Sequence, residues 1–517
     1  MGLDWEDYDF QLRFRSDTPV IGGPSAGGEM AVAFTVAMWN LEHPADPWVI
    51  DETVAGTGTI NADGTIGPVG GIPAKAEAAS EAGVETFFYP AGQDVATTRM
   101  ETESGVRLVA IEMSEWCLDL GISCAPAASL DELLEAAVGI ELVRPAVPDP
   151  NTSIYADYLE DDVRGQVADL RRNLTSMADS WAADQSDSER EIADLVARIE
   201  DLVHEAESSV ESKRYYQAAS LAFQGRVLLR YGDGLFQLYE TTLSRVAVED
   251  SIQGCSTAVD AVEQEVPQWP ATDLTAWMAV GEAQHRVDAA RGFLASAEQS
   301  LRDAYRLTDW KNALHASSLC TERVESARWW ADLADRFPPG RRIADADGFV
   351  APVFAQAQEA LLYAQAIGVS DGTAAWQAAL EYRRDGMLPA ATRAATEAVT
   401  RSNVGVQTQG GALSPDVVDM AREATARAIS QAQAAGTEPV VSVSLAELAD
   451  EQGHEDALAS LWTARSLALL AHDAGGADVE VVRSADGRAW IDWLGPGALT
   501  LAVAAMVVVV ATRSGRI

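Results

Sequence analysis

The sequence predicts an α+β domain at the N-terminus, a large all-α region after it, and one transmembrane helix at the C-terminus. Three observations carry that order. Residues 8–143 mix strand alternation, a hairpin signal and short helices with recognisable ends. From residue 153 onward, apolar residues step by threes and fours. Trp493–Thr512 then runs for 20 residues without a charge, about the length that crosses a bilayer. The expected divisions are 1–143, a linker at 144–152, a coiled-coil hairpin region at 153–265, a repeat-like helical region at 266–475, a juxtamembrane stretch at 476–492 and the span at 493–512.

Element by element, YDFQLRF (8–14) alternates as a strand does. Met30, Ala33, Phe34, Ala37 and Met38 recur at helical spacing until Pro44 stops the run. Thr53–Ile60 and Thr65–Val69 flank Asn61-Ala62-Asp63-Gly64, whose Asp-Gly pair signals a hairpin. A helix from Pro73 to Ala82 follows, with Gly83 as its stop. Strands are expected near Val84–Tyr89 and Val106–Ile111, and Ser129 with Glu132 forms a capping box for a last helix. The proline-rich RPAVPDP (144–150) closes the domain.

Beyond it, Val163, Val167, Leu170, Leu174, Met177 and Trp181 make one apolar stripe, and Ile192, Leu195, Ile199, Leu202 and Ala206 a second. Two antiparallel helices packed as a coiled coil are expected. Farther on, a bulky residue with small ones at plus three and plus six recurs at Tyr216 and Trp310, with looser echoes at Met387 and His454. The intervals are too long and uneven for a strict solenoid, so helical hairpins with repeat-like packing are the expectation. These stripes read as core and carry no chemistry.

Charge narrows the function classes. Lys plus Arg number 37 against 79 Asp plus Glu, a formal net charge of -42, and only Lys75, Lys213 and Lys311 are lysines. Such a surface repels itself in dilute buffer, whereas molar salt shortens the Debye length to about 3 Å. A halophilic host is expected, and nucleic acid is excluded as a partner for want of a basic footprint. The four cysteines form no CxxC and the six histidines no HExxH, so neither a metal site nor a cofactor is expected. Cys117 and Cys124 are close enough for a small disulfide loop, and two buried thiols fit the spacing as well. At the C-terminus, Trp493 suits the membrane interface, and Arg513 and Arg516 after the span leave the bulk of the chain outside the cytoplasm by positive-inside counting. No signal peptide is visible at Met1; either the protein is tail-anchored and faces inward, or the start lies upstream.

The stretch IGGPSAGGEM (21–30) crowds two glycines and a proline before Ser25 and starts an apolar helix just after it. Glycines let backbone approach a substrate, Pro24 fixes the entry angle, and a helix N-terminus presents free amides to an oxyanion. A serine needs a base, and a lysine serves only when neutral, so its pKa has to fall from about 10.4. Lys75, in the first turn of an alanine-rich helix, sits at the end that penalises a cation, and arginine could not deprotonate there.

Taken together, GPSAG (23–27) and then PVGGIPAKAEAA (68–79) resemble the proteolytic domain of Lon-type proteases. The resemblance covers roughly residues 8–140 and implies a fold like domain 2 of ribosomal protein S5. It implies a Ser25–Lys75 catalytic dyad, with Thr57 of AGTGTI supporting the lysine, and an oxyanion or substrate loop at Gly23, Pro24, Ala26 and Gly27. The chain is similar to membrane-anchored archaeal, and with its acidity haloarchaeal, relatives lacking the ATPase half. It departs from the family at Ile21, Gly22 and Thr59, and only one strand precedes the serine, so the domain's first strands are missing. No GxxxxGK[ST] occurs at any lysine, which implies ATP-independent cleavage of flexible polypeptide substrates; a homo-oligomer is a further expectation. The rival expectation is a catalytically inactive Lon-like fold on a membrane-bound helical interaction scaffold. A related small-molecule kinase, which would bind ATP, ranks below both.

Overall fold

The computed structural model describes residues 8–15, 24–60, 64, 66–67, 69–102, 105–142, 150–181, 189–240, 244–269, 271–366, 368–408, 415–450, 452–476 and 506–513.

The N-terminal domain runs β1 (Tyr8–Arg15), α1 (Gly27–Glu42), β2 (Val54–Gly56), β3 (Thr59–Ile60), β4 (Ile66–Gly67), α2 (Ile72–Glu81), β5 (Thr86–Pro90), β6 (Val95–Thr102), β7 (Gly105–Glu112), α3 (Met113–Asp119), β8 (Ser123–Ala127) and α4 (Leu130–Val138). Its centre is a three-stranded sheet in the order β2-β5-β8, parallel throughout. Strand alternation divides β5 between two cores. Phe88 packs with Val32, Val36, Leu133 and Leu134 of α1 and α4. Phe87 and Tyr89 pack on the opposite side with Ile72, Ala76, Met113 and Cys117 of α2 and α3. A parallel sheet covered by helices on both faces is α/β in character, a finer description than the expected α+β.

Three expectations need correction here. The single strand expected over Thr53–Ile60 is two: β2 pairs with β5, β3 pairs antiparallel with β4, and Thr57-Gly58 between them turns aside. Burial of α1 falls on Gly28, Val32 and Val36, while Met30, Ala33, Phe34, Ala37 and Met38 are half-buried, because the helix lies between neighbours rather than on one surface. The capping box is offset: Glu132 N–H donates to Ser129 Oγ at 3.3 Å, but the Glu132 carboxylate accepts from Ala128 N–H, one residue before the cap. The expected strand near Val106–Ile111 is β7, and β6 pairs with it as a hairpin that periodicity did not announce.

The helical region comprises α5 (Ser153–Trp181), α6 (Glu189–Glu211), α7 (Tyr215–Glu240), α8 (Arg245–Glu265), α9 (Leu274–Arg302), α10 (Leu307–Arg336), α11 (Ala346–Ala366), α12 (Thr373–Arg384), α13 (Leu388–Thr408), α14 (Pro415–Ala434), α15 (Val440–Ala449) and α16 (His454–Gly476). The apolar stripe of α5 is core, with Val163 and Leu170 fully enclosed. It is not an isolated coiled coil, however. Helix α7 packs on both α5 and α6, with Leu170 seated on Gly225 and Trp181 on Gly232, so three helices share the seam. One continuous core then runs from Tyr155 to Ala471, across the division expected at residue 265. Buried Glu282 is paired with Arg286 and, at 2.7 Å, with Arg393, so an interior charge is neutralised by arginine rather than by lysine. Disulfides join Cys117 to Cys124 and Cys255 to Cys320, the second linking α8 to α10.

Of the expected membrane span, residues 493–505 lie outside the described residues, as do 144–149 of the expected linker at 144–152. Met506–Arg513 form β9, paired antiparallel with β1, in place of a helix. The consecutive valines 507–510 explain the difference, since β-branched residues favour extended backbone and an uncharged run does not by itself choose between helix and strand. No helix among the described residues is long and apolar enough to cross a membrane.

Candidate active site

Ser25 sits in the 3-10 turn Pro24–Ala26, which runs directly into α1. Its carbonyl oxygen is the anchor of the site. Gly58 N–H and the Thr57 hydroxyl both donate to it, each at 3.0 Å, and Gly28 N–H returns a 3.0 Å bond to the Gly58 carbonyl. The turn at Thr57-Gly58 is therefore bound to the start of α1, which is why the strand pattern breaks there. A side chain at 58 could not be accommodated, because a Cβ would lie 2.3 Å from Ile66 Cγ2.

Lys75 approaches from the opposite side. Gly71 takes the left-handed conformation, φ 69°, that starts α2, and Pro73 follows in the first turn. Lys75 N–H closes the first helical bond onto Gly71 at 3.2 Å. Its Nζ donates to Thr57 Oγ1 at 3.1 Å. Because the single Thr57 proton is committed to the Ser25 carbonyl, the hydroxyl meets the lysine as an acceptor. Burial lowers the Lys75 pKa to about 8, since the charged amine loses hydration. The structure thus brings Lys75, Thr57 and the Ser25 backbone into one hydrogen-bonded chain.

Of the expected loop, Pro24, Ala26 and Gly27 flank Ser25 at the helix start, and Gly23 lies outside the described residues. The amide of Gly28 is bonded to Gly58, so it does not serve an oxyanion. Among the described residues no group of His, Cys, Asp and Glu side chains could hold a metal ion. Sequence reasoning missed Glu29. Its Oε1 rests on Gly56, 2.3 Å from where a Cβ would be, and burial raises its pKa to about 7. An acidic residue four places after the serine, inside an apolar helix, was the available signal. A cavity of about 140 Å³ lies elsewhere, between α11, α13 and α16, lined by Gln356, Asn403, Trp462 and Arg465 among others. Ser25, Thr57 and Lys75 do not line it, and hydrolysis is not argued from it.

Residues 13–118 match the family model of the Lon protease (S16) C-terminal proteolytic domain. The N-terminal part of the chain is a Lon proteolytic domain. Among curated proteins, the chain is 32% identical over 119 residues to Lon protease 2 of Bacillus subtilis (strain 168), covering 23% of this chain and 20% of that one. It is 33% identical over 90 residues to the archaeal Lon protease of Methanothermobacter thermautotrophicus, covering 17% and 13%. It is 34% identical over 89 residues to the archaeal Lon protease of Thermoplasma acidophilum, covering 17% and 12%. The chain thus spans a fifth or less of the length of these relatives. No solved structure matches. The matched segment contains Ser25, Thr57 and Lys75, and the large helical region lies beyond it.

Proposed function

We propose that the protein is a serine endopeptidase that hydrolyses polypeptides with Ser25 as nucleophile and Lys75 as general base. The observation that carries the proposal is the Lys75–Thr57–Ser25 hydrogen-bonded chain inside a Lon proteolytic domain. A neutral amine that donates one N–H to Thr57 keeps its lone pair for the Ser25 hydroxyl proton. The serine oxygen then attacks the scissile carbonyl, and the ammonium returns the proton to the departing amine, leaving an acyl-serine. Water, deprotonated by the same lysine, releases the acid and restores the serine. First-turn amides of α1 other than Gly28 are the candidate oxyanion donors.

The two disulfides support an oxidising compartment, in keeping with a chain lying outside the cytoplasm. Membrane attachment through 493–512 is the corresponding proposal for topology. It requires Met506–Arg513 to leave their pairing with β1, so sedimentation of the full chain with membranes in alkaline carbonate tests it. Proteolysis is tested by casein or fluorogenic-peptide cleavage in molar salt. Wild type is expected to cleave and Lys75→Ala to lose at least a hundredfold; equal activity removes Lys75 as the base, and no cleavage by either returns the inactive scaffold.

A further inference from the structure

We propose that the helical region is a positioning element for the catalytic pair, acting through Gln407 and Val406 on the β3–β4 hairpin. The role assigned rests on the hydrolytic reading of Ser25 and Lys75.

The hairpin stands between the two reacting sides. Thr57 lies two residues before β3, and β4 leads through Val69 to Gly71 and the start of α2, which carries Lys75. The 3.1 Å contact between Lys75 and Thr57 therefore depends on how this short, two-residue-per-strand ladder is held. So small a ladder does not hold itself, since isolated hairpins are at best marginally stable in water.

What holds it comes from the other end of the chain. Gln407, near the end of α13 and buried, donates Nε2–H to the Ile66 carbonyl at 3.1 Å across 341 residues of sequence. Ile66 is the residue whose side chain fills the space over Gly58, directly behind the bond to Ser25. Val406, beside Gln407, sits over Gly67, its Cγ1 3.0 Å from where a Cβ would be. Tyr363 of α11 brings a buried hydroxyl beside Thr59 and the Ile60 backbone. The Tyr363 and Thr59 hydroxyls face each other without reaching hydrogen-bond geometry among the described residues. Strand β4 is thus held by a helix outside the Lon-matched segment, and Tyr363 stands beside β3.

A second contact reaches the Lys75 side. Ala91 packs into a cluster of the helical region that includes Val404, Val417 and Leu458. Two residues on, Gln93 brackets Val69 with both halves of its amide, accepting from Val69 N–H at 2.9 Å and donating to its carbonyl at 3.0 Å. Val69 belongs to the segment that joins β4 to α2. The helical region thereby bears on both sides of the Lys75–Thr57 contact, which makes it more than a spacer.

The test uses the full chain in molar salt. Gln407→Leu removes the donor while keeping an apolar side chain of similar size, and Gln407→Asn keeps an amide but withdraws it. With only three lysines, uniform [13C]lysine labelling gives three resolvable ε-carbon signals, and Lys75→Arg assigns the one that matters. The expected result for folded Gln407→Leu is a kcat lower by about tenfold or more with KM within about twofold, as misplacement of a reacting group gives. The Lys75 ε-carbon titration should move upward toward an ordinary lysine. Wild-type kcat together with a wild-type Lys75 titration in folded Gln407→Leu overturns the proposal. Should that variant fail to fold, Gln407→Asn, which withdraws the donor from Ile66, is put through the same comparison. If wild type cleaves no peptide, the hydrolytic reading fails by itself, and the Lys75 titration still decides whether the helices position that amine.

Discussion

The pH dependence of peptide cleavage is where the Lys75 environment becomes measurable. Its pKa is lowered from 10.5 to about 8 by burial, so the amine is neutral in roughly one molecule in ten at pH 7 and in roughly nine in ten at pH 9. An unperturbed lysine would be neutral about 300-fold less often at pH 7. At constant molar ionic strength, kcat/KM for a fluorogenic peptide should therefore rise about ninefold from pH 7 to 9, with a midpoint near 8. Glu29 titrates nearby, at about 7, so Glu29→Gln is the necessary control and should leave the upper limb in place. A rate that is flat between pH 7 and 9, or that climbs only above pH 10, would refute the assignment of Lys75 as base.

Thr57→Val removes the hydroxyl that accepts from Lys75, and kcat should fall by about 10- to 100-fold with KM nearly unchanged, read by initial rates. Lys75 also costs stability. Below pH 8 the folded domain holds a cation that the unfolded chain solvates better, and the penalty is relieved as pH rises from 8 to 10.5. Lys75→Met should then stabilise the domain at pH 7 by about 1–2 kcal/mol, less than the full shift because solvent screens a half-buried amine, and by little above pH 10.5, measured by urea unfolding at both pH values. Reducing Cys255–Cys320, which closes 65 residues, should lower the stability of the helical region by about 4 kcal/mol, visible as an earlier unfolding midpoint with dithiothreitol. Transfer from molar to about 0.1 M salt lengthens the Debye length to about 10 Å, and at a net charge of -42 the thermal midpoint should drop steeply.

The parts of the fold legible in sequence were those fixed by local chemistry. Gly83 after α2, Pro44 after α1 and Ser129 before α4 stand where helices end or begin, because Gly83 and Pro44 act through their own backbone and Ser129 through a hydroxyl that bonds an amide three residues on. The stripes of α5 and α6 were readable since 3.6-residue periodicity survives any packing partner. What packs on them was not: the glycines of α7 that receive Leu170 and Trp181 have no periodic signature. The pairing of Cys255 with Cys320 likewise depends on two helices meeting across 65 residues. At the site, the motifs around Ser25 and Lys75 were legible from their own chemistry and Thr57 from the Lon resemblance, and the structure brings Lys75 to Thr57 and Thr57 to the Ser25 carbonyl; their catalytic roles are the proposal. The break at Thr57-Gly58, the burial of Glu29 and the grip of Gln407 on Ile66 were not, since all three are set by tertiary contacts. The valine run at 507–510, which pairs with β1, was ambiguous for the converse reason: its composition suits a bilayer and a strand alike.

A fluorophosphonate probe with mass-spectrometric mapping tests the central claim most directly. The account predicts an adduct on Ser25 in wild type, formed faster as pH rises through 8 and lost in Lys75→Ala. An unmodified Ser25, or equal labelling without the lysine, would contradict it.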